Sequence, residues 1–137
     1  MLFHASCVAV GGRAVLIAGD SGAGKSDLAL RLIDRGAALV SDDQVVLSAE
    51  DGQLIASAPA TIAGQIEVRG LGIMAMPHRT AMPVSLLIQL GAPAERMPEP
   101  RARTLCGIAV PVVALDPFEP SAPIKAELAL RQWGLEP

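Results

Sequence analysis

The sequence predicts an α/β domain, a mixed sheet with few helices around a phosphate-binding loop. Three observations point there. The apolar run from Ala14 to Ala18 passes through a glycine-rich turn into an amphipathic segment, so a strand, a loop and a helix follow one another directly. Short β-like runs elsewhere are punctuated by Gly-Gly and Asp-Gly signals. The chain is 51% hydrophobic but only 2% aromatic, with no Tyr, so its core must be built from Ala, Val, Leu and Ile, a composition suited to close α/β packing. At 137 residues it is expected to form one domain, 1–137, without metal or disulfide support.

The elements follow in order. Leu2 to Val10 and Arg13 to Ala18 flank Gly11-Gly12 and read as a tight hairpin. Leu28, Ala29, Leu32 and Ile33 are spaced helically after the glycine-rich turn, and Gly36 stops that helix. Ala37 to Val40 is a short buried strand ending at Ser41-Asp42-Asp43, and Val45 to Leu47 with Leu54 to Ala56 flanks a second hairpin turn at Glu50-Asp51-Gly52. From Pro59 to Met76 the period is unclear, which predicts short strands and ordered loop. Val84 to Leu90 is the clearest strand of the second half. Pro93 to Pro100 is a proline-rich connection, Ile108 to Leu115 is a strand that Pro111 assigns to an edge, and Ile124 to Trp133 has the spacing of a closing helix.

A net charge of −3 leaves no basic footprint for nucleic acid, and no stretch has the length and hydropathy of a membrane-spanning helix. Neither nucleic acid nor a membrane is an expected partner. Met1 to Val10 lacks a charged leading segment and is interrupted by His4 and Ser6, so it reads as a strand rather than a secretory leader. Cys7 and Cys106 both lie in apolar β-like surroundings, which predicts two buried thiols in a reducing cytoplasm.

The chemistry centres on Gly19, Asp20, Ser21, Gly22, Ala23, Gly24, Lys25 and Ser26, a full G-x-x-x-x-G-K-S pattern. Its glycines let backbone N–H groups converge on phosphate oxygens, and the following helix turns its positive end toward the same anion. Lys25 supplies an exposed point charge for the outer phosphates and Ser26 a hydroxyl for Mg²⁺. Asp42 and Asp43 stand at the end of the next strand, where open α/β sheets place ligand-facing groups. Adjacent side chains on extended backbone point opposite ways, so one carboxylate can meet Mg²⁺ or its waters while the other takes a proton from an attacking hydroxyl. A solvated turn is the plainer reading of the same pair. Glu67 and Arg69 lie two apart and share one face of a strand, flanked by Gly64, Gly70 and Gly72; an ion pair on an irregular loop explains them equally well. His4 stands alone on an apolar strand, and its ordinary reading is a hydrogen-bonded core histidine.

Gly19 to Ser26, the LVSDD of Leu39 to Asp43, and the IEVRGLGIM of Ile66 to Met74 occur in an order that resembles the catalytic domain of HPr kinase/phosphorylase, the bacterial serine kinase of the sugar phosphotransferase system. The resemblance runs from His4 to Leu115. It implies a P-loop fold similar to that of phosphoenolpyruvate carboxykinases, and transfer of the γ-phosphoryl of ATP, with Mg²⁺, to a serine of the carrier protein HPr. Many members also reverse the reaction by phosphorolysis. By the same resemblance Asp42 is the catalytic base, Asp43 stands at the metal site with Ser26 and Glu67, and His4 lies near the phosphates with Arg69 in the glycine-rich signature. An arginine-bearing docking loop is matched loosely by Arg96, Arg101 and Arg103, with Arg96 counted among the catalytic residues. Full-length members carry a further N-terminal domain, so the resemblance is to a short, cytoplasmic form, assembled as a hexamer and regulating carbon metabolism. The signature departs from the family at Met74, where an aspartate is usual. Two other functions fit the cradle: a small-molecule or nucleotide kinase whose lid carries Arg96, Arg101 and Arg103, and a non-enzymatic ATP-binding sensor.

Overall fold

A computed structural model describes every residue except Ala94 and Met97. The chain runs β1 (Leu2–Val10), β2 (Arg13–Ala18), α1 (Lys25–Asp34), β3 (Ala38–Ser41), β4 (Gln44–Glu50), β5 (Gln53–Ser57), a single 3₁₀ turn (Ala60–Ile62), β6 (Gln65–Val68), β7 (Gly72–Ala75), β8 (Met82–Gln89), β9 (Arg101–Leu105), β10 (Ile108–Ala114) and α2 (Ala122–Trp133). Both expected hairpin turns form. Val10 pairs with Arg13 across Gly11-Gly12, and Glu50 pairs with Gln53 across Asp51 and Gly52, whose φ values of 51° and 78° are those a tight two-residue turn demands.

Eight of the strands form one mixed sheet that bends back on itself. β1 pairs with β4 through Leu2, Phe3 and His4, then with β2 on one side and β3 on the other through its second half. β8 pairs antiparallel with β5 at Met82 and Pro83, and parallel with β2 and, at its end, with β10. These two long strands therefore carry the sheet around a corner, closing it through β2, β1, β4, β5 and β8. Inside the bend lies a core that includes Phe3, Leu16, Leu47, Leu54 and Leu87. Under the helices lies a second, with Ile17, Leu28, Leu32, Leu86, Ile88 and Leu130. Alternate residues of β2 serve the two, Ala14 and Leu16 inward, Val15 and Ile17 toward the helices, which is why the strand reads as an unbroken apolar run. β6 and β7 make a separate two-stranded sheet whose Ile66 reaches into the helix-side core.

Four expectations are corrected. Arg101 to Leu105 is a strand, β9, with a turn at Cys106-Gly107 to β10, and not part of a loop; its polar residues hid the alternation because it is the outer strand of the sheet and mostly exposed. β10 is thereby an interior strand, but Pro111 lies in the portion that pairs only with β9, since pairing to β8 begins at Val112. Cys7 is buried, whereas Cys106 is exposed in the turn at φ 50°. Both helices begin earlier than their apolar spacing suggests, α2 at Ala122 with a proline in its first turn, a place where the missing N–H costs nothing. The connection from Pro93 to Pro100 contains Ala94 and Met97 and to that extent lies outside the described residues.

Candidate active site

The site is assembled on the helix side of the sheet, where β1, β3, the loop after β2 and the β6–β7 hairpin meet. The phosphate-loop sequence leaves β2 at Ala18 and enters α1 through Gly24 at φ 102°, a backbone angle suited to glycine. No side chain caps the helix, so its first N–H groups retain their capacity for an anion. Lys25 is not an exposed point charge. It is 5% exposed, and Nζ donates to the carbonyls of Gly19 at 2.9 Å and Asp20 at 3.0 Å, because the glycine-rich turn curls its own oxygens over the ammonium.

Asp42 is buried at the end of β3. Its carboxylate gathers three donors from three different elements: Ser6 Oγ of β1 at 2.9 Å, Ser26 Oγ of α1 at 2.6 Å, and the N–H of Glu67 in β6 at 3.0 Å. Asp43 adopts φ 66° in a tight reversal in which the N–H of Gln44 bonds back to the Asp42 carbonyl at 2.7 Å. That turn, and not the alternation of an extended strand, separates the two acids, since β3 ends at Ser41 and β4 begins at Gln44. Asp43 faces outward, with Oδ1 2.9 Å from His4 Nε2, while its N–H donates to Ser6 Oγ at 3.2 Å. His4 is thus no core histidine: the pair it makes with Asp43 is exposed.

A cavity of about 480 Å³ opens over this arrangement, lined by Gly22, Lys25, Ser26, Asp42, Asp43, Glu67, Arg69 and Phe118 among others. Glu67 and Arg69 both reach it, but not as neighbours on one strand face, since β6 ends at Val68 and Arg69 begins the turn beyond. Arg96 is not brought there. It lines a different groove, with Leu128, Arg131 and Trp133 of α2. Arg101 pairs with Glu95 at 2.7 Å and Arg103 lies over the Phe3 ring at 5.1 Å, so neither serves as a lid over the cavity. Two residues escaped the reading of the sequence. Ser6 shares a strand face with His4, two residues away, which is the signal that marks it; Phe118 follows Asp116-Pro117 and carries no local signal at all.

The family model of the HPr Serine kinase C-terminal domain matches residues 1–90. The chain belongs to that family. Relatives include an HPr kinase/phosphorylase of Clostridium tetani, 50% identical over 74 residues that make up 54% of this chain and 24% of that protein. One from a Geobacillus species is 46% identical over 95 residues, 64% of this chain and 30% of the relative. The chain therefore spans about a quarter of the length of the curated relatives it matches. The solved Hpr(Ser) kinase/phosphatase from Coxiella burnetii is 33% identical, with a TM-score of 0.83 covering 96% of this chain and 88% of that one. The match in three dimensions extends well past residue 90, so β9, β10 and α2 belong to the HPr kinase C-terminal fold as much as the matched stretch does.

The donor set that this HPr kinase domain presents beside Asp42 is made only of oxygens: the Ser26 hydroxyl and the carboxylates of Asp43 and Glu67. Such a set suits a hard cation such as Mg²⁺, which also takes ligands from substrate phosphates. Among the described residues no group of three or more His, Cys, Asp and Glu converges on one point, so protein carboxylates alone do not form a cage for it.

Proposed function

We propose that this chain is a Mg-ATP-dependent serine protein kinase of P-loop type, similar in fold to phosphoenolpyruvate carboxykinases, that phosphorylates HPr or an HPr-like phosphocarrier and also removes that group by phosphorolysis. In the removal, inorganic phosphate attacks the phosphoserine phosphorus, the serine oxygen leaves with a proton and pyrophosphate is released. One observation carries the reading: a single buried carboxylate, Asp42, is fixed by three donors beside the lysine-bearing loop. A carboxylate offers about four lone-pair directions, so three donors fix its orientation and leave one for the hydroxyl of an incoming serine. That hydroxyl attacks the γ-phosphorus of ATP, the bond from phosphorus to the β–γ bridging oxygen breaks, the proton passes to Asp42, and ADP leaves.

The loop N–H groups and Lys25 hold the phosphates, and Arg69 faces the transferring group. Ser26, Asp43 and Glu67 would hold Mg²⁺, which would neutralise charge on the outer phosphates. His4 orients the Asp43 carboxylate through its 2.9 Å contact. Leu71, Ile73 and Met74 are exposed on the β6–β7 hairpin, a surface suited to a hexameric assembly in which the acceptor docks between subunits.

Incubation with radiolabelled ATP, Mg²⁺ and purified HPr tests the proposal. Label is expected on an HPr serine, and Asp42→Asn is expected to keep ATP binding while transfer falls by ~10²-fold or more. A monomer that labels a small metabolite and ignores every HPr offered overturns it.

A further inference from the structure

Phe118 is the anomaly of the molecule's surface. The chain has only three aromatic residues, and this one leaves 76% of itself exposed, on the rim of the cavity that holds Lys25, Ser26 and Asp42. It is not there because its loop is loose. The N–H of Phe118 donates to Asp116 Oδ1 at 2.9 Å, and Pro117 beside it is buried against Gly24 of the phosphate loop. Arg31, on the third turn of α1, donates to the carbonyls of Pro117 and, at 3.3 Å, Glu119, and lies 3.1 Å from the Asp27 carboxylate. The segment before α2 is therefore bolted to α1 on both sides of the ring, and the ring itself is left facing the cavity.

We infer that Phe118 is the stacking platform for the nucleobase of the bound nucleotide, a subsite distinct from the phosphate cradle; this rests on the nucleotide-binding reading above. The backbone amides at the start of α1 and Lys25 recognise phosphate and cannot tell one nucleoside from another. An aromatic ring beside Gly24, lining the same cavity as the phosphate loop, is within reach of a base whose phosphates lie along that loop. Stacking on one open face rewards ring area rather than a hydrogen-bond pattern, so the platform favours purines over pyrimidines without choosing between adenine and guanine.

The test is calorimetric titration of the wild type, Phe118→Ala and Phe118→Trp with ATP, GTP, CTP and inorganic triphosphate, each with Mg²⁺. Phe118 is mostly exposed, so both variants are expected to fold as the wild type does. Phe118→Ala is expected to weaken ATP and GTP by ~10-fold or more, CTP by less, and triphosphate not at all, while Phe118→Trp keeps or tightens the purine nucleotides. Equal ATP affinity in wild type and Phe118→Ala overturns the inference and leaves the phosphate cradle standing. So does a variant that binds ATP normally yet loses transfer to HPr, which assigns the ring to the protein acceptor. A wild type that binds neither ATP nor triphosphate overturns the cradle itself, and the platform with it.

Discussion

Lys25 shows how a residue can be named correctly by its motif and still be misplaced. Its side chain is buried against the carbonyls of Gly19 and Asp20, so Lys25→Ala removes the loop's own cation and takes the Nζ donor from both carbonyls, of which Asp20's keeps the Ala23 N–H at 3.0 Å. Loss of ATP binding is expected together with a stability loss of ~1 kcal/mol or more, read as a lower denaturant midpoint at unchanged slope. An unaltered midpoint would mean that the ammonium contributes nothing to the loop. Cys7 carries a pH dependence of its own. Burial in the core pushes its thiol well above the ordinary value of 9.0. The folded chain keeps this proton while the unfolded chain releases it. The contribution is therefore fully present below pH ~9 and is lost as pH rises beyond it. Unfolding midpoints measured from pH ~8 to ~10 are expected to fall, and Cys7→Ala to flatten that fall. In the native protein a maleimide is expected to label Cys106 alone.

At the scale of elements, what could be read from sequence was whatever has a local cause. The β1–β2 and β4–β5 hairpins announce themselves by turn residues, α1 by its spacing, and Asp42 by its place after a short strand. β9 could not be read so. Its Arg101-Ala102-Arg103-Thr104 is polar because it lies on the outer strand, and only pairing with β10 makes it extended. Ser6 and Phe118 needed the fold for the same reason: their partners are 36 and more residues away or lie on another element. Ile66, 1% exposed beneath the helices, is the fully buried anchor of the β6–β7 hairpin, with Val68 and Met76 partly buried against the same core. Ile66→Ala is expected to cost ~2–5 kcal/mol and, by loosening the Glu67 N–H from Asp42, to reduce transfer beyond what the lost stability explains. Activity equal to wild type at a temperature where the variant is fully folded would contradict that coupling.

The whole molecule is needed to hold the site, since its residues come from β1, the loop after β2, the end of β3, β6 and the segment before α2. The stretch matched by the family model, 1–90, is not a self-sufficient fold: it lacks Val110 of the inner core and Val113, Ala126 and Leu130 of the outer one. A fragment ending at Leu90 is expected to show no cooperative unfolding transition by circular dichroism, where the full chain shows one. The separateness of the β6–β7 sheet has a further consequence. An isolated two-stranded hairpin is marginal in water, so β6 and β7 are expected to swing open while the eight-stranded sheet stays shut. Deuterium then enters the amide of Glu67 long before it reaches those of Leu87 or Ile88 in the sheet's centre. Because the Glu67 amide is itself one of the three clasps on Asp42, its exchange rate counts how often the carboxylate is released. The protein thus carries a clock that ticks each time the acid is unfastened, readable without any substrate.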